Sequence, residues 1–208
     1  MKPLIVANWK CNPTTLKEAK LLFSRVKKAG GIICPPFVYL SVLRANGAQD
    51  CFWEEKGAFT GEISPLMLKN LGVKYVIIGH SERRKYFKET NEIIEKKLKA
   101  ALKAGLKPIL CIDKMSQIPK NTKGLIIAYE PLFAIGTGQA CSIQKAKRMR
   151  TAIKRAAGIT VPVLYGGSVN AQNAGEYVKL AGFQGLLVGG ASLKPREFID
   201  IIKNVCYG

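Results

Sequence analysis

The sequence predicts a single α/β domain whose parallel strands close into a (β/α)8 barrel. Short apolar runs rich in β-branched residues alternate with segments of helical period along the whole chain of 208 residues. Alternation of this kind favours a parallel sheet with helical crossovers, and eight strands favour closure into a barrel. No change of composition marks a domain boundary, so we expect one domain over residues 1–208.

The pattern assigns an element to most of the chain. The predicted strands are residues 4–8, 32–35, 48–52, 74–79, 108–112, 125–130, 161–166 and 185–189. The predicted helices are residues 14–29, 37–45, 65–71, 88–104, 142–157, 171–181 and 194–204.

The connection between the fifth and sixth strands is short for this fold, which usually needs about 250 residues. Residues 113–121 are too few and too interrupted for a full crossover helix, and Pro119 blocks a regular one. We therefore expect the helix between strands five and six to be missing, with Met115 or Ile118 packed against a poorly shielded strand surface. The outward-facing residues there are predicted to be Leu110, Ile112, Ile126 and Ala128.

The composition argues against several other classes of protein. No apolar run approaches the roughly 18 residues that a membrane span requires, and Leu4 to Ala7 is too short for a signal-peptide core, so we expect a cytoplasmic protein without membrane contact. The six cysteines form no C-x-x-C pair, which is typical of reduced, mostly buried thiols. With one histidine and no clustered ligands, the sequence predicts no metal site.

The net charge is strongly positive. Lys and Arg number 33 against 14 Asp and Glu, a formal charge of +19, which could serve nucleic-acid binding or attract a small anionic substrate. The basic residues are mostly lysines dispersed along helix patterns, as in Lys96, Lys97, Lys99 and Lys103. We interpret them as solvated helix faces, and a nucleic-acid partner is disfavoured.

Glu130 is the candidate catalytic base. It ends the continuous apolar run from Leu125 to Tyr129, and Pro131 cannot extend the hydrogen-bond ladder. Glu130 therefore lies at the carboxyl end of a predicted strand, where barrels bind ligands and where a half-shielded carboxylate can act as a base. The alternative is a solvated glutamate beside a turn.

His80, Lys10 and Asn8 also lie at the ends of predicted strands. His80 precedes Ser81-Glu82-Arg83, a typical helix start, and the positive end of a helix disfavours a protonated imidazole. A neutral His80 could donate a hydrogen bond to a substrate carbonyl. Lys10 could stabilise charge developing on a substrate oxygen, with the Asn8 amide nearby. The alternatives are a buried structural histidine and an ordinary surface lysine.

Glycines and a serine in three predicted loops suggest a phosphate site. Gly189 and Gly190 follow the eighth strand, Ser168 follows the seventh, and Gly136 lies in the loop after Glu130. Backbone without side chains lets N–H groups approach an anion, as at a helix N-terminus. Glycines in such loops can also be simple turns.

Four of these stretches, in this order, resemble the triosephosphate isomerase family. They are Asn8-Trp9-Lys10, Gly79-His80-Ser81-Glu82-Arg83-Arg84, the ten residues 129–138, and 165–169 with 188–192. The resemblance covers nearly the whole chain. It implies a TIM barrel that interconverts dihydroxyacetone phosphate and glyceraldehyde 3-phosphate without cofactor or metal. The departures from the family are Phe133, where Trp is usual, Cys11, where Met is usual, and the missing helix between strands five and six.

The resemblance also implies a role for each candidate residue. Glu130 would shuttle the proton, His80 would polarise the substrate oxygens, and Lys10, held by Glu82, would stabilise the enediolate with Asn8 close by. Ser168, Gly136, Gly189 and Gly190 would bind the phosphate. The loop 131–138 would close over the site and exclude water.

A long aromatic loop predicts a homodimer. Residues 49–62 include Phe52, Trp53 and Phe59, which would form an exposed apolar patch on a monomer. The resemblance implies that Thr60 reaches the neighbouring subunit's active site. Two other functions stay open at this point: a non-catalytic basic barrel that binds polyanions, and a barrel enzyme acting on another phosphosugar.

Overall fold

Eight parallel strands form one sheet that curves into a barrel, which confirms the predicted fold class. The computed structural model describes residues 2–134 and 139–207. The strand order is β2-β1-β8-β7-β6-β5-β4-β3. The strands are β1 Leu4–Asn8, β2 Ile32–Cys34, β3 Gly47–Ala48, β4 Tyr75–Ile78, β5 Lys107–Ile112, β6 Ile126–Tyr129, β7 Val163–Tyr165 and β8 Gly185–Val188.

Helices follow the strands and cover the outside of the barrel. Several begin at a Ser or Thr whose side chain accepts a hydrogen bond from the third residue of the helix, as Thr15, Thr90 and Ser142 do. None of the helices in the described parts of the chain is long and apolar enough to cross a membrane. The helices are α1 Leu16–Val26, α2 Phe37–Leu43, α3 Pro65–Asn70, α4 Ser81–Tyr86, α5 Asn91–Lys103, α6 Ile143–Ala157, α7 Ala174–Lys179 and α8 Pro195–Cys206.

The apolar core has two layers because both faces of every strand are buried. The inner layer fills the barrel with alternate strand residues, including Val6, Ile77, Ile109 and Leu187. The outer layer lies between the strands and the surrounding helices, and it contains most of the buried apolar side chains. This double burial is the reason that the strands are continuous apolar runs in the sequence.

The barrel closes between β2 and β3 through a side chain. Asn46 accepts a hydrogen bond from the Ile33 N–H at 2.9 Å and donates one to the Gly31 carbonyl at 3.3 Å. A Cβ atom at Gly47 would lie 2.5 Å from the Cys34 sulfur, so only glycine permits this close approach. Asn46 thus links the two strands whose backbones form no ladder among the described residues.

Several predicted elements have other bounds in the structure, and for two of them the contacts show the cause. The third strand is Gly47–Ala48 rather than residues 48–52, because the Gln49 side chain turns to bind the carbonyls of Lys10 and Cys34. The predicted helix 88–104 begins later, at Asn91, and the short helix α4 precedes it. Lys88 lies between the two helices with φ of 56°, a left-handed conformation that interrupts a right-handed helix.

The connection from β5 to β6 contains one 3-10 turn, Met115–Gln117. The Gln117 side chain accepts from the Asp113 N–H at 2.8 Å and donates to the Asp113 carboxylate at 2.6 Å, which closes the turn. Ile118 packs against the outer core layer, whereas Met115 is exposed. The two strands remain paired along their length.

The outward face of β6 was assigned wrongly from the sequence. Ile126 and Ala128 lie inside the barrel, level with Ile109 and Cys111 of β5, and the residues in the outer layer are Ile127 and Tyr129. The expected poor shielding is also wrong. The outward residues Leu110, Ile112, Ile127 and Tyr129 are all buried.

Candidate active site

A cavity of about 490 Å³ opens at the carboxyl ends of the strands. Seven of the residues that the sequence singled out line it, from five different strand ends: Asn8, Lys10, His80, Glu130, Ser168, Gly189 and Gly190. Ligands bind at this end of the barrel because the loops that follow the strands can vary without disturbing the core.

Glu130 and His80 face each other inside the cavity. The His80 Nε2 atom lies 3.2 Å from Glu130 Oε1, and both side chains are buried. Burial raises the pKa of Glu130, but His80, a hydrogen bond from the Cys111 thiol and the Lys10 charge outweigh it, so that the pKa lies below its ordinary value. The carboxylate is therefore ionised at neutral pH and able to accept a proton.

The other oxygen of Glu130 is buried and has no hydrogen-bond partner among the described residues. A buried carboxylate oxygen without a donor is costly, and such sites occur where a ligand completes the arrangement. Gly166 makes room for this side chain, since a Cβ there would lie 2.9 Å from Glu130 Cγ.

His80 caps helix α4 with its own side chain. The Glu82 backbone N–H donates to His80 Nδ1 at 3.2 Å, so this nitrogen carries no proton in the neutral ring. The ring proton is then on Nε2, which donates to Glu130. Burial lowers the pKa of His80, but the Glu130 carboxylate outweighs it and the net pKa lies above its ordinary value, against the expectation that the helix start would disfavour the protonated ring.

We expect the pKa of His80 to fall in the Glu130→Gln variant, because the variant removes the charge that raises it most. His80 is the only histidine, so an NMR titration of the imidazole signals needs no assignment. Glu82→Gln should lower the pKa less, since Glu82 contributes less than Glu130. An unchanged titration in Glu130→Gln would show that the two side chains are not coupled in solution.

Lys10 is held in an unusual backbone conformation, with φ of 54°. The Asn8 side chain accepts from the Lys10 N–H at 3.0 Å and Gln49 donates to the Lys10 carbonyl at 2.8 Å. The Lys10 ammonium forms an ion pair with Glu82 at 2.6 Å. These contacts fix the ammonium at the cavity wall, beside Gly189.

The glycine end of the cavity offers backbone groups to an anion. Gly189 precedes a 3-10 turn, Gly190–Leu193, which the Ser192 N–H and hydroxyl stabilise by donating to the Gly189 carbonyl at 2.8 and 2.6 Å. No atom lies within 4 Å of a Cβ placed on Gly190. The Ser168 hydroxyl donates to the Ala134 carbonyl at 2.5 Å. Gly136 lies outside the described residues.

A buried cluster of four charges beneath helix α4 was not predicted. Asp50 Oδ2 and Glu89 Oε1 each lie 2.6 Å from Lys97 Nζ, and Arg83 Nε lies 2.8 and 2.6 Å from the same two oxygens. Lys97 is only 3% exposed, so its interpretation as a solvated surface lysine was wrong. Arg83 follows Glu82 in the sequence, and the cluster therefore anchors the helix that carries the partner of Lys10.

Comparison with known proteins identifies the family of this chain. The sequence profile described as triosephosphate isomerase matches residues 3–123 and 114–205. A triosephosphate isomerase of Dehalococcoides mccartyi is 43% identical over 246 aligned positions, which cover 98% of this chain and 96% of the relative. Those of Thermoanaerobacter sp. strain X514 and Dictyoglomus turgidum are 41% and 40% identical, over 97% and 98% of this chain and 98% and 99% of their own lengths.

This chain belongs to the triosephosphate isomerase family. The two ranges matched by the triosephosphate isomerase profile overlap at residues 114–123, which is where the chain connects β5 to β6. Of the departures from the usual family sequence, Phe133 lies 4.4 Å from the Lys145 ammonium, in a cation–π contact, and Cys11 is exposed.

The remaining predicted residues lie as follows in this member of the triosephosphate isomerase family. Thr60 is exposed and is not among the residues that line the cavity. Phe52 is buried and packs against Trp53 and Phe59, with ring centroids 4.1 and 4.8 Å away, so only Phe59 of the three is exposed. Within the described residues, no three His, Cys, Asp or Glu side chains are grouped as a metal ion would require.

Proposed function

We propose that this protein is a triosephosphate isomerase that interconverts dihydroxyacetone phosphate and D-glyceraldehyde 3-phosphate through an enediolate. The observation that carries the proposal is the placement of an ionised Glu130 against Nε2 of His80, in a cavity that Lys10 and a glycine pair also line. A carboxylate base beside an imidazole donor is the combination that proton transfer next to a carbonyl requires.

In the proposed reaction Glu130 removes a proton from C1 of dihydroxyacetone phosphate. The electron pair of the broken C–H bond forms the C1–C2 double bond, and the C2 carbonyl oxygen becomes negative. The His80 Nε2–H turns from Glu130 to that oxygen, and the Lys10 ammonium offsets the developing charge. His80 passes its Nε2 proton to the C2 oxygen and takes the C1 hydroxyl proton in its place, so the C1 oxygen becomes the aldehyde. Glu130 returns its proton to C2, and the carboxylate is regenerated.

The positions of Lys10 and Asn8 support their roles in this scheme. Lys10 is held before substrate arrives by the ion pair with Glu82, by its N–H donating to Asn8 and by the hydrogen bond from Gln49, so that little reorganisation is needed during the reaction. Ser168, Gly136, Gly189 and Gly190 are proposed to bind the phosphate. Closure of the loop 131–138, of which residues 135–138 lie outside the described residues, is proposed to exclude water and suppress phosphate elimination.

A coupled assay of glyceraldehyde 3-phosphate conversion at low salt tests the proposed function directly. We expect turnover without any added cofactor or metal. Retention on heparin that depends on salt, without isomerase activity, would instead favour a non-catalytic polyanion-binding barrel. Activity with other phosphosugars alone would favour another barrel enzyme.

We also propose that residues 1–208 act as one domain and work in the cytoplasm, where such metabolites occur.

The phosphate site predicts the behaviour of Gly190→Leu. Nothing surrounds a Cβ at this position within 4 Å and its backbone is not left-handed, so we expect the variant to fold with its side chain in the cavity. The side chain should block the approach of the phosphate to the backbone, raise KM by about tenfold or more, and weaken inhibition by inorganic phosphate. Steady-state kinetics measures both.

Gly175→Ala is a matched control for Gly190→Leu. Gly175 lies in α7, away from the cavity, and a Cβ there meets only the Asn204 carbonyl at 3.6 Å, an ordinary contact. KM should stay at the wild-type value in the control. An unchanged inhibition constant for phosphate in Gly190→Leu would place the anion elsewhere.

We propose that the protein acts as a homodimer through the loop of residues 49–62. A second cavity, about 280 Å³, also borders Asn8, Lys10 and His80, and it is lined in part by Phe37 and Phe87. Large apolar side chains near this part of the molecule are exposed, among them Val38 at 75%, Tyr86 at 64% and Phe87 at 65%. Exposed apolar surface beside an active site supports a docking role for the neighbouring subunit's loop.

The dimer predicts that Thr60→Arg lowers both association and activity. A long charged side chain on the docking loop cannot enter an apolar interface without an unpaired buried charge, so we expect dissociation and a loss of specific activity of at least about tenfold. Light scattering and activity at matched protein concentrations measure the two effects. Thr151→Arg on the exposed face of α6 is the control. A wild-type monomer with full activity at assay concentration would refute the proposal.

A further inference from the structure

Lys194 lies at the rim of the cavity, directly after the turn that carries the glycine pair. Its backbone N–H donates to the Ala191 carbonyl at 3.2 Å, and the same turn is fixed to Gly189 through Ser192. The backbone of Lys194 is therefore held at a set distance from Gly190. Its side chain is exposed and lines the same cavity as Glu130 and Lys10.

The other charged side chains around the cavity carry too little positive charge for an anionic ligand, and Lys194 supplies the missing charge. The positive charge of Lys10 is paired with the negative charge of Glu82 at 2.6 Å, and Glu130 adds a second negative charge. With the His80 ring neutral and without Lys194, these three groups sum to one negative charge, which would oppose the entry of a phosphate dianion. None of the ion pairs found among the described residues involves Lys194, so its charge is not already compensated.

We propose that Lys194 selects substrates that carry a phosphate dianion, by attracting this group to the backbone of Gly189 and Gly190. Lys10 borders Gly189 as well, with its Cε atom 3.5 Å from a Cβ placed there. The two lysines differ in their tasks. Lys10 is tied to Glu82 at the reacting end, whereas Lys194 supplies an unpaired charge at the phosphate end. The triose phosphate as ligand rests on the proposed function, but the affinity for phosphate does not.

Lys194→Gln tests the proposal by removing the charge while keeping most of the side chain. We expect KM to rise about three- to tenfold, as for the loss of one attractive charge at a solvated site, with kcat within about twofold of wild type. Inhibition by inorganic phosphate should weaken by a similar factor. The dependence of kcat/KM on ionic strength should become shallower. Lys194→Arg should restore all three quantities.

Lys203→Gln is the matched control. Lys203 is an exposed lysine of α8, the helix that Lys194 precedes, nine residues further on and so about 13 Å along the helix axis. The Lys203→Gln variant loses the same charge at a position away from the cavity, and its kinetics should match those of wild type. Equal KM values and equal phosphate inhibition in Lys194→Gln and Lys203→Gln would overturn the proposal, because only net charge would then matter.

Calorimetric titration with inorganic phosphate separates this proposal from the proposed function. If the wild type lacks isomerase activity but binds phosphate more tightly than Lys194→Gln does, the proposed function fails and the role of Lys194 stands. If the wild type isomerises triose phosphates and Lys194→Gln binds phosphate equally well, the role of Lys194 fails alone.

Discussion

Glu130→Gln should reduce kcat by at least about 10² to 10⁴, the usual contribution of a general base, and by more if no other group can take the proton. The described structure offers no substitute, since His80 carries its proton on Nε2 and Lys10 is a paired cation. The fold should persist, because a glutamine oxygen can still accept from His80 and its volume is nearly that of glutamate. Measurement of kcat in the coupled assay tests this expectation.

Binding distinguishes loss of the base from loss of the site. The Glu130→Gln variant should bind 2-phosphoglycolate, a planar analogue of the enediolate, within about tenfold of the wild-type affinity, because the phosphate contacts are untouched. Glu95→Gln makes the same chemical change on the exposed face of α5 and should have wild-type turnover. Near-normal kcat in Glu130→Gln would remove this carboxylate from the mechanism.

Strand positions could be predicted from the sequence because each strand is buried on both faces and reads as a continuous apolar run. The same property hides which face is which. In the run from Leu125 to Tyr129 no polar residue marks the outer side. The inward and outward residues of β6 were therefore interchanged in the prediction. The third strand, Gly47–Ala48, is too short and too small to form such a run.

The active-site residues could be predicted as separate strand ends, but their geometry could not. Nothing in the sequence states that the Cys111 thiol, on β5, helps to lower the pKa of Glu130, or that the ring of His80 receives the Glu82 N–H. These contacts set the charge state of the site. They depend on how neighbouring strands are staggered, which a pattern of apolar residues leaves undetermined.

The buried charge cluster escaped prediction for a related reason. Lys97 and Asp50 are 47 residues apart, and the cluster forms only when α5 packs beneath the loop that follows β3. Within the sequence Lys97 resembles its neighbour Lys99, which is exposed. Their spacing of two residues puts them on different faces of the helix, and the position of Ile94 three residues before Lys97 is the signal that its face is buried.

Lys97→Met should lower the free energy of unfolding by about 3–5 kcal/mol, the cost of leaving a buried charge without its partner. Asp50 and Glu89 would then share only Arg83, and each already has one buried oxygen without a hydrogen-bond partner among the described residues. Methionine fills the volume of the lysine stem, so the loss reports the missing charge rather than a cavity. Chemical denaturation at pH 7.5 measures it, with Lys99→Met as the control, expected within about 0.5 kcal/mol of wild type.

The loss caused by Lys97→Met should shrink as the pH falls. Burial raises the pKa of Asp50 to about 6, and Lys97 is the strongest of the groups that limit this rise. Without Lys97 the pKa rises further, so an ionised Asp50 opposes folding more strongly above pH 6. Protonation of Asp50 in the folded state removes this penalty as the pH falls from 6 towards about 4, the ordinary pKa of an aspartate. The difference in unfolding free energy between wild type and Lys97→Met should therefore be smaller at pH 5 than at pH 7.5, and a difference that is larger at pH 5 would contradict the assignment of Asp50 as the uncompensated group.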